Sequence, residues 1–358
     1  MSELESHQAA TLTEKGTPLT TTTRKTPTPG PTELLIEVHA LALNPVDHHQ
    51  RDTGFFIQEY PAIIGSDVAG VIISSGPSTR AALRPGTRVT ALASSFFNGG
   101  ADYGAFQRRV LVSEETVSVL PDGVSFVEGA VFPLAAFTSW NGWVWAGLLP
   151  TATAGLAGVG EGVFVWGASS SIGALAVQEA KVMGFVVYAT ASPQHHDYIR
   201  GLGADRVFDY KDTDVLDQIV RAAGADGVSI RIGYHATGNQ QLAADVLDAL
   251  RGEREGEKSK LAIAPILDLE WKVPDGVEAA FVYPPQDRAE LKERNRAIFV
   301  DWLEGKLASK QVVASPHIKV IKGGLESVNG ALDELKAGVS CLKIVVELTK
   351  AFVAELIS

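Results

Sequence analysis

From Gly162 onward the chain alternates between two periodicities. Gly162 to Trp166 is an apolar run of strand type, followed by the small residues Gly167-Ala168-Ser169-Ser170-Ser171. Ile172 and Gly173 then open a helical pattern from Ala174 to Met183. Phe185 to Ala191 predicts a second strand, Val207 to Tyr210 a third, Val228 to His235 a fourth and Lys260 to Leu267 a fifth. Helical spacing returns at Gln241 to Leu250 and Arg288 to Gly305, and Arg251 to Lys260 reads as a charged, solvated turn. Strands alternating with helices in this way imply a parallel sheet covered on both faces.

The flanks follow a different pattern. Met1 to Pro31 is polar and rich in Thr and Pro, and predicts a frayed start and an edge hairpin ending near Arg24. Leu34 to Ala42, Val71 to Ile73, the segment after Arg84-Pro85-Gly86, Gly104 to Ser113 and Val117 to Leu120 predict short strands between Gly/Pro turns. Such a series fits a small barrel-like β domain. Phe126 to Gly147 is helical in spacing, and Leu148 to Gly160 is a Gly/Ala/Thr-rich connection. Val320-Ile321, a helix from Leu325 to Lys336 and a strand from Lys343 to Leu348 restore the β character, so the end is expected to complete the first domain. The expected division is 1–135, 136–302 and 303–358.

Composition narrows the function classes. At 358 residues the chain exceeds what one core usually holds, which predicts two domains. The net charge is −11 and no basic run occurs, so neither nucleic acid nor a membrane surface is an expected partner. Cys341 is the single cysteine, which excludes an intrachain disulfide and a thiolate-rich metal site. With no signal pattern and no apolar run of bilayer length, the expected localisation is cytoplasmic.

The candidate chemistry lies in the Gly167–Gly173 turn. Small residues let a backbone approach a pyrophosphate, and free N–H groups at a helix start attract that anion. A full GxGxxG pattern would need glycine where Ser169 and Ser170 stand, so a plain strand–helix connection remains the other reading. The second strand ends in Thr190-Ala191-Ser192-Pro193, with no carboxylate before Asp197. NAD sites usually place Asp or Glu there. Ser192, with His195, His196 and Arg200 nearby, favours NADPH; a polar loop with a solvated His pair is the alternative.

These pieces, with Leu43-Asn44-Pro45-Val46-Asp47, Pro61 to Gly70, Arg84 to Val89, Gly104-Ala105-Phe106, Leu120 to Trp140 and Leu202-Gly203-Ala204-Asp205, resemble the medium-chain dehydrogenase/reductases in order and over nearly the whole length. The resemblance points to the zinc-free quinone oxidoreductase and enoyl reductase branches. Ala191-Ser192-Pro193 and Val207-Phe208-Asp209-Tyr210 are similar to fungal trans-acting enoyl reductases that work beside polyketide synthases. The fold implied is α/β: a Rossmann doubly wound parallel sheet inserted in a GroES-like β-barrel domain. Zinc relatives hold a catalytic metal where this chain has Asn44, Ser66-Asp67 and Leu134. Those side chains do not form a three-ligand zinc set, so no metal is expected.

By the same resemblance, Pro45, Val46, Asp47 and His48 lie near the nicotinamide and its ribose, and Thr138 bonds the nicotinamide end. Gly167, Ala168, Ser169, Ser170, Ser171 and Ile172 meet the pyrophosphate. Ser192, Pro193, Gln194, His195 and Tyr210 lie on the adenosine side, and Val339 and Ser340 reach back to the cofactor. Structural readings stand beside these: Asn-Pro starts turns, Asp47 can cap a helix, and Thr138 and Tyr210 can be core or backbone-bonded. No catalytic residue is assigned; Tyr60, His49, Tyr103 and water are the candidate proton donors. Trp140, Trp143 and Trp145 can line a cleft or pack the core.

Without a Lewis acid, an activated C=C is easier to reduce than a plain carbonyl. The expected function is therefore NADPH-dependent reduction of an enone or enoyl thioester. The substrate is small or carrier-bound and apolar, a polyketide synthase is a candidate partner, and a monomer or homodimer is expected. Quinone reduction, carbonyl reduction and non-catalytic NADPH binding are the alternatives.

Overall fold

The computed structural model describes residues 5–93, 95–150, 157–251, 256–264 and 271–348. The chain divides into two compact units, one comprising residues 1–134, 317–339 and 343–358 and the other 135–316 and 340–342.

The first unit is built on a mainly antiparallel sheet. Its strands run in the order His317–Ile321, Leu342–Glu347, Glu33–Ala42, Asp67–Ser75, Arg88–Leu92 and Val117–Val119, with Arg109–Ser113 also pairing to Glu33–Ala42. The pairing of Glu33–Ala42 with Asp67–Ser75 shifts register twice, at Leu35/Ile36 and Val38/Ala40. Bulges of this kind bend a strand and let a sheet close on itself. Leu34, Ile36 and Val38 alternate inward with Val68, Ile72, Val89, Phe106, Val110 and Ile344 in one core. Leu342–Glu347 pairs with Glu33–Ala42, so the end of the chain returns to the first sheet. Ser6–Thr11 and Thr20–Lys25 form the expected hairpin.

The second unit holds a six-stranded, all-parallel sheet in the order Arg206–Phe208, Val186–Thr190, Glu161–Trp166, Ser229–His235, Ser259–Ile263, Val277–Phe281. Numbered along the unit this is 3-2-1-4-5-6, the doubly wound dinucleotide-fold order, whose ligand crevice lies at the carboxyl ends where the order reverses. Side-chain alternation covers both faces. Val163 and Val165 pack under the helix Ser171–Val182 with Ala176, Val177 and Ala180. Phe164 and Trp166 pack on the other face with Ile219, Val246 and Leu247.

Three expectations need correction. The helical stretch from Phe126 is two helices, Phe126–Gly129 and Pro133–Trp145, because Pro133 lacks the N–H that a continuous helix needs. A sixth strand, Val277–Phe281, was not foreseen; only Val277 of it is fully buried, so its pattern is weak. The helical run from Arg288 continues without a break through Ala308, so residues 303–316 stay with the second unit. The fifth strand is Ser259–Ile263; its expected extension to Leu267, with parts of the 148–160 connection and the 251–260 turn, lies outside the described residues. Among the described residues no helix is long and apolar enough to cross a membrane.

Candidate functional site

In the second unit the central strand ends at Trp166 and the chain turns at Gly167, whose φ of 79° suits only glycine well. The turn is pinned from beneath. The Gly167 N–H donates to Thr190 Oγ1 at 3.0 Å and the Ala168 N–H to the Thr190 carbonyl at 2.9 Å. Ser170 caps the helix, its hydroxyl accepting the Gly173 N–H at 3.1 Å. A Cβ on Gly173 would lie 2.4 Å from the Gly167 carbonyl, so the helix rests directly on the turn. Ser171 and Ile172 open this helix, where N–H groups have no intrahelical acceptor. With the partly exposed Ser169 and Ser171 hydroxyls they form a donor set suited to a pyrophosphate.

The second strand ends beside this turn. Ser192 is buried, and its hydroxyl shares a 3.1 Å hydrogen bond with the Tyr210 hydroxyl. Pro193 and Gln194 are exposed, and His195 Nε2 shares a 2.9 Å bond with Ser340 Oγ. The fold thus joins Ser192 to Tyr210 and His195 to Ser340, residues that the sequence reading had named singly as cofactor candidates. Asp197, the first carboxylate after the strand, is exposed and paired with Arg200 at 2.7 Å. His196 bonds the Ala191 carbonyl at 3.0 Å, which makes it part of the turn.

Thr138 is half-buried on the helix Pro133–Trp145, and its carbonyl accepts the Tyr234 hydroxyl at 2.9 Å. Beside it the sequence reading missed a buried carboxyl. Glu179 is fully enclosed and accepts the Ser139 hydroxyl at 2.9 Å. Glu179 Oε2 and the Trp143 indole N–H each lack a well-formed hydrogen bond among the described residues. Burial pushes the Glu179 carboxyl well above its ordinary range, against the Ser139 hydroxyl and Trp143, and so favours its neutral form. Trp140 and Trp143 are core residues, which decides between the two readings offered for them.

In the first unit Asn44 precedes the helix Pro45–Thr53. Pro45 is exposed, Val46 and His48 are half-buried, and Asp47 is fully buried. The Asp47 carboxylate accepts the Asn44 N–H at 2.7 Å, so it caps the helix, and burial pushes it up to about 8. The Asn44 side chain faces Asp67 and Lys343. Asn44 Nδ2 donates to Asp67 Oδ2 at 2.8 Å, and Lys343 Nζ donates to Asn44 Oδ1 at 2.6 Å and to Asp67 Oδ2 at 3.0 Å. Leu134 enters through its N–H, which donates to Asp67 Oδ1 at 2.6 Å. Val339 is half-buried just past the helix Val328–Ala337. Of the candidate proton donors, Tyr103 donates to Glu33 at 2.6 Å, and Tyr60 is partly exposed.

Comparison with known proteins places these features in context. The alcohol dehydrogenase GroES-like domain matches residues 30–122, and the family described as zinc-binding dehydrogenase matches residues 171–253. The zinc of that description does not fit this chain. At the expected centre stand an amide, a leucine backbone N–H and one carboxylate already paired with an ammonium. A trans-enoyl reductase of Aspergillus flavipes is 45% identical over 346 residues, covering 96% of this chain and 99% of that protein. A trans-enoyl reductase of Aspergillus terreus is 44% identical over 82% of this chain and 98% of its own length. Among solved structures, the CurK enoyl reductase aligns with a TM-score of 0.74 at 20% identity over 96% of this chain and 100% of its own. The quinone oxidoreductase of Coxiella burnetii aligns with a TM-score of 0.70 at 21% identity, over 96% and 100%. At these identities the two structures support the fold alone.

Proposed function

The chain belongs to the medium-chain dehydrogenase/reductase family, and on that premise we propose that it is an NADPH-dependent enoyl reductase acting in trans on a carrier-bound, apolar enoyl thioester. The family is one of nicotinamide-dependent oxidoreductases. Trans-enoyl reductases act with polyketide synthases, which makes such a synthase the proposed partner. The observation that carries the reading is the 45% identity to a trans-enoyl reductase over nearly the full chain.

NADPH, when bound, supplies a hydride to the β carbon of the conjugated substrate. The protein's own residues account for the rest. The Ser171 and Ile172 N–H groups and the Ser169 and Ser171 hydroxyls hold the pyrophosphate. Ser192 and Tyr210 offer hydroxyls, not a carboxylate, at the strand end, and His195 adds a further donor; this chemistry accepts a ribose phosphate and lacks the acid that prefers a free diol. Pro45 to His48 and Thr138 are the proposed surroundings of the nicotinamide end, and Val339 and Ser340 are the segment proposed to reach back to the cofactor, with Ser340 bonded to His195. The charge that develops on the substrate spreads into its own carbonyl and needs hydrogen-bond donors there, not a metal. The α-carbon proton comes from water or a side chain beside the bound substrate.

The test is steady-state NADPH oxidation against enones, quinones and enoyl thioesters. Enoyl thioesters should turn over best, and NADPH binding without turnover on any acceptor would overturn the proposal. Ser192→Ala should raise the KM for NADPH by about tenfold, the loss of one hydrogen bond to a charged group, and leave that for NADH nearly unchanged. Equal loss with both cofactors would remove Ser192 from the phosphate site.

A further inference from the structure

Four segments far apart in sequence meet at one buried point of the first unit. Lys343 comes from the last strand, Asp67 from the start of Asp67–Ser75, Asn44 from the turn before the helix Pro45–Thr53, and Leu134 from the start of Pro133–Trp145. The Lys343 side chain is 3% exposed and that of Asp67 0%. Every oxygen in the cluster has a donor: Asp67 Oδ2 receives Lys343 and Asn44, Asp67 Oδ1 receives the Leu134 N–H, and Asn44 Oδ1 receives Lys343. A lysine withdrawn from water to this extent is costly unless its charge and donors are met. Its contact with Asn44, at 2.6 Å, is the shortest it makes here, and Asn44 fixes where Pro45 begins.

We propose that Lys343 is a positioning residue. Its ammonium is a covalently held cation at the point where zinc relatives keep a metal, and it holds Asn44, hence the entry into Pro45–His48, in a single orientation. This rests on the reading that Pro45–His48 border the nicotinamide. A divalent ion has no place in the cluster, because the carboxylate and the amide oxygen it would need are both engaged by Lys343. A merely space-filling lysine would be replaced by methionine at little cost. A positioning cation would not be, and it could be restored by a free amine.

The experiment compares Lys343→Met, Lys343→Ala and the neutral pair Lys343→Met/Asp67→Asn. Lys343→Met strands the Asp67 carboxylate and should lower the melting temperature by about 10 °C. Propylammonium, the portion of lysine removed in Lys343→Ala, should raise the melting temperature of that variant saturably, and propanol should not. The neutral pair should melt within a few degrees of the wild type yet lose about tenfold or more in kcat, with NADPH affinity at the Rossmann unit changed little. Three results would overturn the proposal: unchanged melting in Lys343→Met, no distinction between propylammonium and propanol, or wild-type kcat in the neutral pair. Stoichiometric zinc in the purified wild type would do so as well. If Lys343→Ala does not fold, Lys343→Met and the neutral pair still decide. If the wild type turns over nothing, the proposed function fails while melting and amine rescue still test Lys343.

Discussion

Asp67 and Glu179 are both carboxyls with no solvent exposure, one in each unit, and the fold treats them in opposite ways. Asp67 has a cation and donors from three residues: the Lys343 ammonium, the Asn44 amide and the Leu134 N–H. Glu179 has one hydroxyl, from Ser139, and an oxygen with no well-formed bond among the described residues. The first centre compensates a buried charge. The second works against having one, because burial raises the Glu179 carboxyl and favours its neutral form. Equal burial thus comes with very different surroundings: a cation and two further donors in one case, a single hydroxyl in the other. The contrast also separates two uses of a carboxyl, one joining distant segments through an ammonium and amide donors and one filling a helix contact beside a single hydroxyl.

The largest expected effect falls on the compensated centre. Asp67→Ala leaves the Lys343 ammonium enclosed and takes the acceptor from Asn44 Nδ2 and the Leu134 N–H. Breaking a buried pair by removing one partner costs about 3–5 kcal/mol. Chemical denaturation should therefore show a loss in that range. A loss below about 1 kcal/mol would mean that water or another group reaches Lys343, and the contrast with Glu179 would collapse.

How much of this contrast could be read from the chain depends on range. The turn Gly162–Gly173 was legible because an apolar run, small residues and a helical pattern are all local. The strands Val186–Thr190 and Ser229–His235 were legible for the same reason. Asn44 and Asp67 were singled out as residues standing where metal ligands would be, but their partner was not, since Lys343 is 276 positions from Asp67 and a lysine at a strand start reads as solvated. Glu179 was missed because Gln178-Glu179-Ala180-Lys181 looks like an exposed helix face. The helix is in fact buried continuously from Gly173 to Ala180, so the amphipathic pattern that sequence reading relies on does not apply. The Ser192–Tyr210 and His195–Ser340 pairs were named singly, and only the order of the strands brings each pair together.

The second test reads the neutral centre through pH. Below the ordinary glutamate range both folded and unfolded states hold the proton. As pH rises, the unfolded chain releases it while the fold retains it, so the contribution of Glu179 to stability falls until the raised folded pKa is passed. The difference grows by about 1.4 kcal/mol for each pH unit over which the two states disagree. Glu179→Gln removes the titration and keeps an oxygen for the Ser139 hydroxyl. Its melting temperature should match the wild type below the ordinary glutamate range and exceed it increasingly as pH rises above that range. A gap independent of pH, or one of opposite sign, would mean that Glu179 is ionised in the fold and that the two centres are alike.

The smallest effect is the most discriminating. Ser139→Ala deletes the donor to Glu179 Oε1. If Glu179 is a neutral acid, the lost bond joins two neutral groups and should cost about 1 kcal/mol at pH 6. If it is ionised, the same deletion should cost about 1.5–3 kcal/mol and more as pH rises, because a hydrogen bond to a charged acceptor is then lost. The hydroxyl favours the charged form, so its removal pushes the Glu179 carboxyl further up. The variant should therefore show a flat penalty across the neutral range, one that steepens only where the wild type begins to ionise. Combining it with Glu179→Gln closes the argument. With the titratable group absent, the Ser139→Ala penalty should lose its pH dependence altogether while keeping its size at pH 6, and an altered size would assign the difference to the hydroxyl's other acceptor, the Ala136 carbonyl, and not to the state of Glu179.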